Sequence, residues 1–240
     1  MGHKDIVDRQ LAWLAKQNFK KSTDKQIDIF DTTIVILAGL QSAYDLINSG
    51  KVPHAHTYNK RHVKALLQGA RDVADLLSPV FDSPTGIPWF WYDIENNTAL
   101  HTMQSNTAVV GTLIMEFHRL SDLTRDPKYR NLADRAESYL LHPKPKPLYP
   151  DLVGSNIDIN TGKFTTNDIA WKSGIDSFYE VSHLSLCLDS RVGHQNCDGD
   201  NGPFTSTGAN FSHLVSYQNS YLRPSLSLGK RVSVLLDDCC

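Results

Sequence analysis

The sequence predicts an all-α protein that carries one short β-hairpin. Two observations support this fold class. Apolar residues recur three and four positions apart in successive blocks, and turn-forming segments separate the blocks. This spacing puts apolar side chains on one face of an α-helix, whereas the strands of a half-buried sheet would alternate at every second residue. A chain of 240 residues is long enough to bury a substantial core, in one large domain or two small ones.

Five apolar stripes define the predicted helices, and we expect each helix to pack on its neighbours. The longest stripe begins at Phe30 and ends at Ile47, with spacings of 4, 3, 3, 4 and 3 residues, and covers about five helical turns. In chain order, the stripes are Val7, Leu11, Leu14; Phe30, Ile34, Leu37, Leu40, Tyr44, Ile47; Val63, Leu66, Ala70, Val73, Leu77; Val110, Leu113, Phe117, Leu120; and Leu132, Ala136, Tyr139.

The predicted hairpin lies at residues 157–164. Two alternating arms there flank a polar turn in which Gly162 is free to take a positive φ. Turn-forming residues also occupy 81–88 and 143–147. Residues 89–92 are all aromatic and form either a carbohydrate-binding platform or a loop anchored in the core. We favour the anchor.

The composition changes after Glu180 and divides the chain into residues 1–180 and a tail, residues 181–240. Ser, Gly and Asn become frequent in the tail and the helical stripes end, so we expect the tail to be poorly ordered. All four cysteines lie in the tail, so no disulfide links two positions within residues 1–180. The cysteines are Cys187, Cys197, Cys239 and Cys240.

Two metal-binding hypotheses for the tail are weak. A zinc cluster would have intervening spacings of three, six and two residues, which match no tight zinc loop. Its members would be His183, Cys187, His194 and Cys197. A calcium loop around Asp198, Asp200 and Gly202 would lack the glutamate of the twelfth loop position and any flanking helix. The residues themselves therefore assign no metal ligand.

Charge and hydropathy exclude two functional classes. The formal net charge is -2 and no long basic run is present, so the electrostatic footprint of a nucleic-acid-binding protein is absent. No stretch approaches the ~18 consecutive apolar residues of a transmembrane segment. The N-terminus also lacks the apolar region of a signal peptide, so we expect the chain as written to stay where it is made.

Two aspartates have equivalent sequence contexts. Asp31 follows Asp28 by three residues and Asp176 follows Ser173 by three, so we expect both at the third position of a helix. Helix capping is the favoured explanation, because an acid at that position suits the free N–H groups and the positive end of the helix dipole. In a helical barrel that presents several helix starts at one end, the pair would instead supply a general acid and a general base. Inverting glycosidases separate such carboxyl groups by about 6.5–9.5 Å.

Two glutamates are further candidates. Glu180 lies one turn beyond Asp176 on the same helical face, and the adjacent Phe178 and Tyr179 either form a sugar-stacking surface or belong to the core. Glu116 stands mid-helix among apolar residues. A surface position is its ordinary explanation, and a place in a polar pocket is the alternative.

Two segments fit the N-glycosylation pattern Asn-X-Ser/Thr. They begin at Asn96, in Asn-Asn-Thr, and at Asn210, in Asn-Phe-Ser. The pattern has a consequence only if the chain enters the secretory pathway.

Six segments of the chain resemble class I α-1,2-mannosidases of glycoside hydrolase family 47, most closely their fungal secreted branch. The resemblance follows the order of the family and runs from about residue 1 to residue 180. The matching segments are IFDTTIVILAGLQSAYDLI, FDSPTGIPW, VVGTLIMEFHRLSDLTRDPKY, ESYLLHP, LVGSNIDINTGKF and GIDSFYE.

The resemblance implies an (α/α)7 barrel, here incomplete, with a calcium ion at its base beside the terminal mannose. It implies inverting hydrolysis of terminal α-1,2-linked mannose from a high-mannose oligosaccharide, in the secretory pathway or outside the cell. Asp176 falls on the catalytic aspartate of the family, and Asp31 on the glutamate that protonates the leaving group. We predict these two residues as catalytic, and Glu180 and Glu116 as substrate-binding.

The chain departs from the family in ways that predict impaired activity. Asp31 is one methylene shorter than the glutamate of the family, and Val35 replaces an arginine expected to hold the sugar. The resemblance also implies that the second catalytic glutamate and the calcium-binding threonine would follow residue 180, where the match ends. We expect a frameshift or a misassigned intron near residue 181, which sequencing of the transcript would test.

Two alternatives to a glycosidase remain. One is a non-catalytic mannose-binding or interaction fragment that keeps part of the barrel. The other is an unrelated helical-repeat scaffold, which is weakened by the absence of any fixed period of about 34 to 47 residues between helix pairs.

Overall fold

A computed structural model describes residues 3–148, 152–168 and 170–182. This part of the chain is mostly helical, as predicted, and also contains two small antiparallel sheets. No helix within these ranges has the length and apolar character to cross a membrane. The expectations for the four cysteines, the zinc and calcium loops and Asn210 concern residues outside the described ranges.

Eight α-helical segments lie within the described residues. Between α2 and α3 the helix continues without a break through a π-helical stretch, Thr32–Leu37. The α-helices are α1 (Lys4–Leu14), α2 (Ile29–Asp31), α3 (Ala38–Asn48), α4 (Lys60–Leu77), α5 (Thr107–Thr112), α6 (Ile114–Thr124), α7 (Lys128–Leu141) and α8 (176–182).

The stripes that predicted α4 and the α5–α6 pair are confirmed as core faces. Helix α4 begins at Asn59, whose side chain accepts a hydrogen bond from the N–H of Arg61 at 2.9 Å, as expected of an N-cap. All the predicted stripe residues of these helices are buried: Val63, Leu66, Ala70, Val73, Leu77, Val110, Leu113, Phe117 and Leu120. Helix α4 packs on α1, α3 and α6, so these two stripes meet in one core.

The prediction for the stripe from Phe30 to Ile47 is wrong at Ile34, which is 37% exposed. The cause is the π-helical stretch, whose hydrogen bonds span five residues instead of four and widen the turn. Ile29, Thr33 and Leu37, four residues apart, are buried in its place. The ordinary α-helical period returns in α3, where Leu40 is buried as predicted.

A three-stranded sheet leads into α2 and was not predicted. Strands β1 (Gln26–Asp28), β2 (Trp91–Asp93) and β3 (Thr98–Leu100) pair in that order, antiparallel, with Asp28 opposite Trp91 and Gln26 opposite Asp93. Each strand has only three residues, which is too short for an alternating pattern to stand out from a turn.

The hairpin predicted at residues 157–164 forms, but its first arm has a second partner. Gly162 has a φ of +67°, and the N–H of Asp158 donates to the carbonyl oxygen of Lys163 at 2.8 Å. Within a second sheet, β5 (Asn156–Asp158) pairs antiparallel with β4 (Gln104–Asn106), the strand that runs directly into α5.

The aromatic segment 89–92 is an anchor at two of its four residues. Trp89 and Tyr92 are buried, and Trp89 stacks on His101 with ring centroids 4.1 Å apart. Phe90 is half-buried, whereas Trp91 is 39% exposed. The anchor interpretation is therefore confirmed for Trp89 and Tyr92.

Glu137 of α7 makes stability depend on pH. Its side chain is buried, Oε1 has no hydrogen-bond partner among the described residues, and burial followed by the charge of Asp134 raises its pKa to about 8. Glu137 therefore binds a proton more tightly in the folded protein than in the unfolded chain, where its pKa is 4.5. The stability that this provides is fully present below pH 4.5 and is lost as the pH rises through about 8.

We therefore expect Glu137→Gln to raise the free energy of unfolding at pH 9 by a few kcal/mol relative to wild type, and to leave it nearly unchanged at pH 4. Urea unfolding of both proteins across this range measures the difference. Glu95→Gln, at an exposed position, is the matched control. A Glu137→Gln protein with the pH dependence of wild type would contradict this account.

Candidate active site

The N-terminal ends of α2 and α8 both lie beside α5. Helix α2 packs against α5, and the N–H of Ala108 in the first turn of α5 donates to the carbonyl oxygen of Gly174 at 2.9 Å. The N–H of Thr107 donates in the same way to Ser155 at 3.0 Å. The chain that precedes α8 is therefore bonded to the start of α5, and the segments that carry Asp31 and Asp176 both flank this helix.

Asp31 is the third residue of its helix, as predicted. Asp28 is the N-cap, and its Oδ1 accepts a hydrogen bond from the N–H of Asp31 at 2.5 Å. The carboxylate of Asp31 is exposed and makes no hydrogen bond to another described residue. The cap is thus provided by Asp28, while the carboxylate of Asp31 has no capping role and no partner among the described residues.

The surface beside Asp31 is apolar. Val35 is 60% exposed, and its neighbours Ile34 and Ile36 are also exposed. All three lie in the π-helical stretch that follows Asp31. A ligand that approached Asp31 from this side would meet aliphatic groups, which cannot donate a hydrogen bond to it.

The predicted position of Asp176 in its helix is wrong: it is the first residue of α8, not the third. Residues 173–175 form a turn, and the N–H of Asp176 donates to the carbonyl oxygen of Lys172 at 3.1 Å. Oδ1 of Asp176 accepts from the N–H of Ser177 at 3.0 Å. The half-buried carboxylate of Asp176 therefore satisfies a first-turn N–H itself, and its Oδ2 has no hydrogen-bond partner among the described residues.

Packing between α8 and α5 holds Asp176 in place. Phe178 is fully buried, and its ring lies so close to Gly111 that a Cβ built there would stand 2.2 Å from Cδ2 of Phe178. Such a distance is far inside van der Waals contact. Only glycine at position 111 permits this approach of the two helices.

The interpretation of Phe178 and Tyr179 as a sugar-stacking surface is wrong, because both rings are buried. The hydroxyl of Tyr179 accepts from the N–H of Val153 at 3.1 Å, which explains how a buried tyrosine is satisfied. Glu180, one turn beyond Asp176, is exposed. It shares the helix with Asp176 as predicted.

Trp171 is an exposed aromatic residue near Asp176 that the sequence reasoning missed. It is 58% exposed and stacks on Tyr179 with a centroid separation of 5.5 Å and an interplanar angle of 28°. One face of the indole is therefore supported, while much of the ring faces outward. The signal in the sequence was a tryptophan within a polar turn, outside every apolar stripe.

Glu116 does not occupy the exposed position that mid-helix acids usually take. It is half-buried in α6, its Oε2 is buried and has no hydrogen-bond partner among the described residues, and burial raises its pKa to about 7. Nε2 of Gln41 in α3 donates to the backbone carbonyl oxygen of Glu116 at 3.0 Å. Thr112, four residues earlier at the end of α5, also has a buried hydroxyl group without a hydrogen-bond partner among the described residues.

The carboxylates do not form a metal centre within residues 3–148, 152–168 and 170–182. In these ranges, no group of three or more His, Cys, Asp or Glu side chains converges in a way that would hold an ion. Calcium requires six to eight oxygen ligands. The described residues therefore offer no cluster of carboxylates for a calcium ion, and no chemical step is assigned to one.

Comparison with known proteins points to one family. The profile of glycosyl hydrolase family 47 matches residues 1–196. The fold is similar to that of the alpha-1,2-mannosidase from Trichoderma reesei, with a TM-score of 0.77 and 30% sequence identity over 91% of this chain and 42% of that one.

Curated relatives carry related names. The chain is 41% identical over 183 residues to the mannosyl-oligosaccharide alpha-1,2-mannosidase 1B of Aspergillus oryzae and 40% identical over 183 residues to the mannosyl-oligosaccharide alpha-1,2-mannosidase of Penicillium citrinum. Each match covers 75% of this chain and 35% of the relative. The chain thus spans about a third of the length of the curated relatives that it matches.

Proposed function

The chain belongs to glycosyl hydrolase family 47, and from this membership we propose that it is a glycosidase that releases terminal α-1,2-linked mannose from mannosyl-oligosaccharides with inversion. The observation that carries the proposal is the position of two carboxylates, Asp31 and Asp176, at the starts of helices that both flank α5. Relatives named as α-1,2-mannosidases support the choice of substrate.

In the proposed mechanism, Asp31 is the general acid and Asp176 the general base. The free, exposed carboxyl group of Asp31 donates a proton to the oxygen of the leaving group, directly or through a water molecule. Asp176 accepts a proton from the water that attacks the anomeric carbon on the opposite face of the sugar. Inversion requires this geometry, because water must fit between the base and the ring.

Glu116 and Glu180 are proposed to bind the substrate. Oε2 of Glu116 is buried and has no hydrogen-bond partner among the described residues, so this role requires the side chain to turn toward the ligand, where sugar hydroxyl groups would satisfy it. Its pKa of about 7 allows the carboxyl group to donate or accept near neutral pH. The exposed carboxylate of Glu180 lies one turn beyond Asp176 and would accept hydrogen bonds from hydroxyl groups of the same ligand.

Three further statements rest on the family resemblance. We propose that the helices are part of an (α/α)7 barrel, that catalysis requires calcium bound outside the described residues, and that the protein acts on high-mannose N-glycans in the secretory pathway or outside the cell. The helix pairs α3–α4 and α6–α7 pack side by side, which is compatible with such a barrel.

The test is to incubate the purified chain with α-1,2-linked mannobiose, with calcium or with a chelator, and to measure free mannose. The α-1,3-linked disaccharide is the matched control. The proposal predicts calcium-dependent release from the α-1,2-linked sugar only, with β-mannose as the first anomer detected by NMR. Absence of release under all conditions, or first release of the α-anomer, would overturn it.

A non-catalytic mannose-binding protein is the second candidate. It is favoured by exposed Val35 beside Asp31, because an aliphatic side chain cannot donate a hydrogen bond that would orient a bound sugar for proton transfer from Asp31. Binding of mannobiose without release of mannose would support this candidate. If the chain neither binds mannobiose nor releases mannose, both candidates are overturned.

Substitution of Trp171 tests whether its exposed ring is a platform for the ligand. We expect Trp171→Ala to weaken binding of a mannoside about 2- to 10-fold, which is the change in affinity that the loss of one aromatic contact produces. Isothermal titration measures the change. Trp13→Ala is the matched control, because Trp13 is also 58% exposed but belongs to α1, which carries none of the four candidate acids. Equal affinities of wild type and Trp171→Ala would rule out the platform.

A further inference from the structure

The turn between β2 and β3 carries one of the two N-glycosylation patterns. Asn96, Asn97 and Thr98 follow Asp93, the last residue of β2, after a two-residue interval. All three residues of the pattern are exposed. Asn97 has a φ of +51°, a left-handed conformation that asparagine tolerates better than most residues. The pattern therefore occupies an accessible turn and the exposed first residue of β3.

The side chain of Asn96 is oriented by Asp93. Its backbone N–H donates to Oδ1 of Asp93 at 2.9 Å, and its Nδ2 donates to Oδ2 of the same carboxylate at 2.9 Å. An amide nitrogen carries two hydrogens. Replacement of one hydrogen by a sugar leaves the other to donate to Asp93, so the described turn is compatible with a substituted Nδ2.

The position of the turn keeps such a substituent away from the candidate active site. In the β1–β2 register, Asp93 lies opposite Gln26, whereas Trp91 lies opposite Asp28, the cap of the helix that bears Asp31. Two residues of strand separate these ends by about 7 Å, and Asn96 continues beyond the Asp93 end. A glycan on Asn96 would therefore extend from the end of the sheet that points away from Asp31.

We infer that Asn96 is an N-glycosylation site of this protein. The inference depends on the proposed passage through the secretory pathway, but not on catalysis. In the reaction, Nδ2 of Asn96 forms a bond to the anomeric carbon of an oligosaccharide carried on a lipid-linked pyrophosphate. The pyrophosphate leaves with the lipid, and Nδ2 loses one proton to a base of the transferase.

The experiment expresses the full chain behind a cleavable secretion leader in yeast. Asn210→Gln removes the second pattern, so a single glycan reports on Asn96. We expect the secreted Asn210→Gln protein to migrate more slowly than after endoglycosidase treatment, and Asn96→Gln in that background to abolish the difference. Thr98→Ser should keep the glycan and Thr98→Ala should lose it.

A second readout uses the chain without substitutions, so it does not depend on whether a variant folds. Enzymatic deglycosylation in heavy-oxygen water converts a glycosylated asparagine into labelled aspartate, which peptide mass spectrometry locates. Label at position 96 supports the inference. Secreted protein without label at position 96, or an endoglycosidase-sensitive shift that persists in Asn96→Gln, overturns it. These readouts are independent of mannose release, so they fail separately from the proposed enzymatic activity.

Discussion

Asp31→Asn is expected to slow the release of mannose from α-1,2-linked mannobiose by about 10²–10⁴-fold, the usual contribution of a general acid. The amide matches the carboxyl group in shape but has no proton to deliver to the leaving oxygen. The fold should be unaffected, because the cap bond runs from the backbone N–H of Asp31 to the side chain of Asp28. The measurement is kcat/KM, with circular dichroism to verify that the fold is retained.

Asp24→Asn is the matched control, because Asp24 is also an exposed aspartate but lies in the loop that precedes β1 and outside α2. Asp31→Glu provides the opposite test. If the shorter side chain holds the carboxyl group on the order of 1 Å from its productive position, the added methylene should raise the rate by up to about 10²-fold. A rate unchanged by Asp31→Asn would remove Asp31 from the mechanism.

Phe178→Ala is expected to lower the free energy of unfolding by about 3–5 kcal/mol. The phenyl ring is fully buried and lies directly against Gly111, so its loss leaves a cavity where α8 meets α5. Domains of this size have about 5–15 kcal/mol of stability in total. The variant should therefore unfold at a much lower urea concentration, and Asp176 would lose the packing that positions it.

Two variants calibrate this result. Phe178→Leu keeps most of the apolar volume and should cost less than the alanine substitution. Met103→Ala, at a side chain that is 72% exposed, should change stability by no more than about 0.5 kcal/mol. A Phe178→Ala protein as stable as Met103→Ala would show that α8 is not held through this ring.

Helices whose apolar residues follow the ordinary period could be predicted from the sequence. The stripe from Val63 to Leu77 is buried throughout, because an uninterrupted α-helix returns every third or fourth residue to the same face. At Ile34 the period changes to that of a π-helix, and the prediction is wrong at that residue. Such a local change depends on tertiary packing, which a periodic pattern does not contain.

The acidic residues of the candidate site could be predicted from the sequence, but their burial and their contacts could not. Spacing placed Asp31 at the third position of a helix, and the structure agrees. The same rule is wrong for Asp176, because a turn at residues 173–175 delays the start of α8. The burial of Glu116 results from packing between helices, and the strands before α2 and α5 are too short to show a pattern. The roles of the four acidic residues remain proposals.

The π-helical stretch Thr32–Leu37 has a consequence for protein engineering. Each residue added to or removed from an α-helix rotates everything beyond it by about 100°. Asp31 precedes this stretch and the core-forming helix α3 follows it, so the wide turn sets the angle between the carboxylate and the core. Because a π-helical turn holds about one residue more than an α-helical turn, deletion of one residue from this stretch would return it to an α-helix with nearly the same angle between Asp31 and α3, whereas a deletion within α3 itself would rotate Asp31 by about 100° relative to the residues that follow.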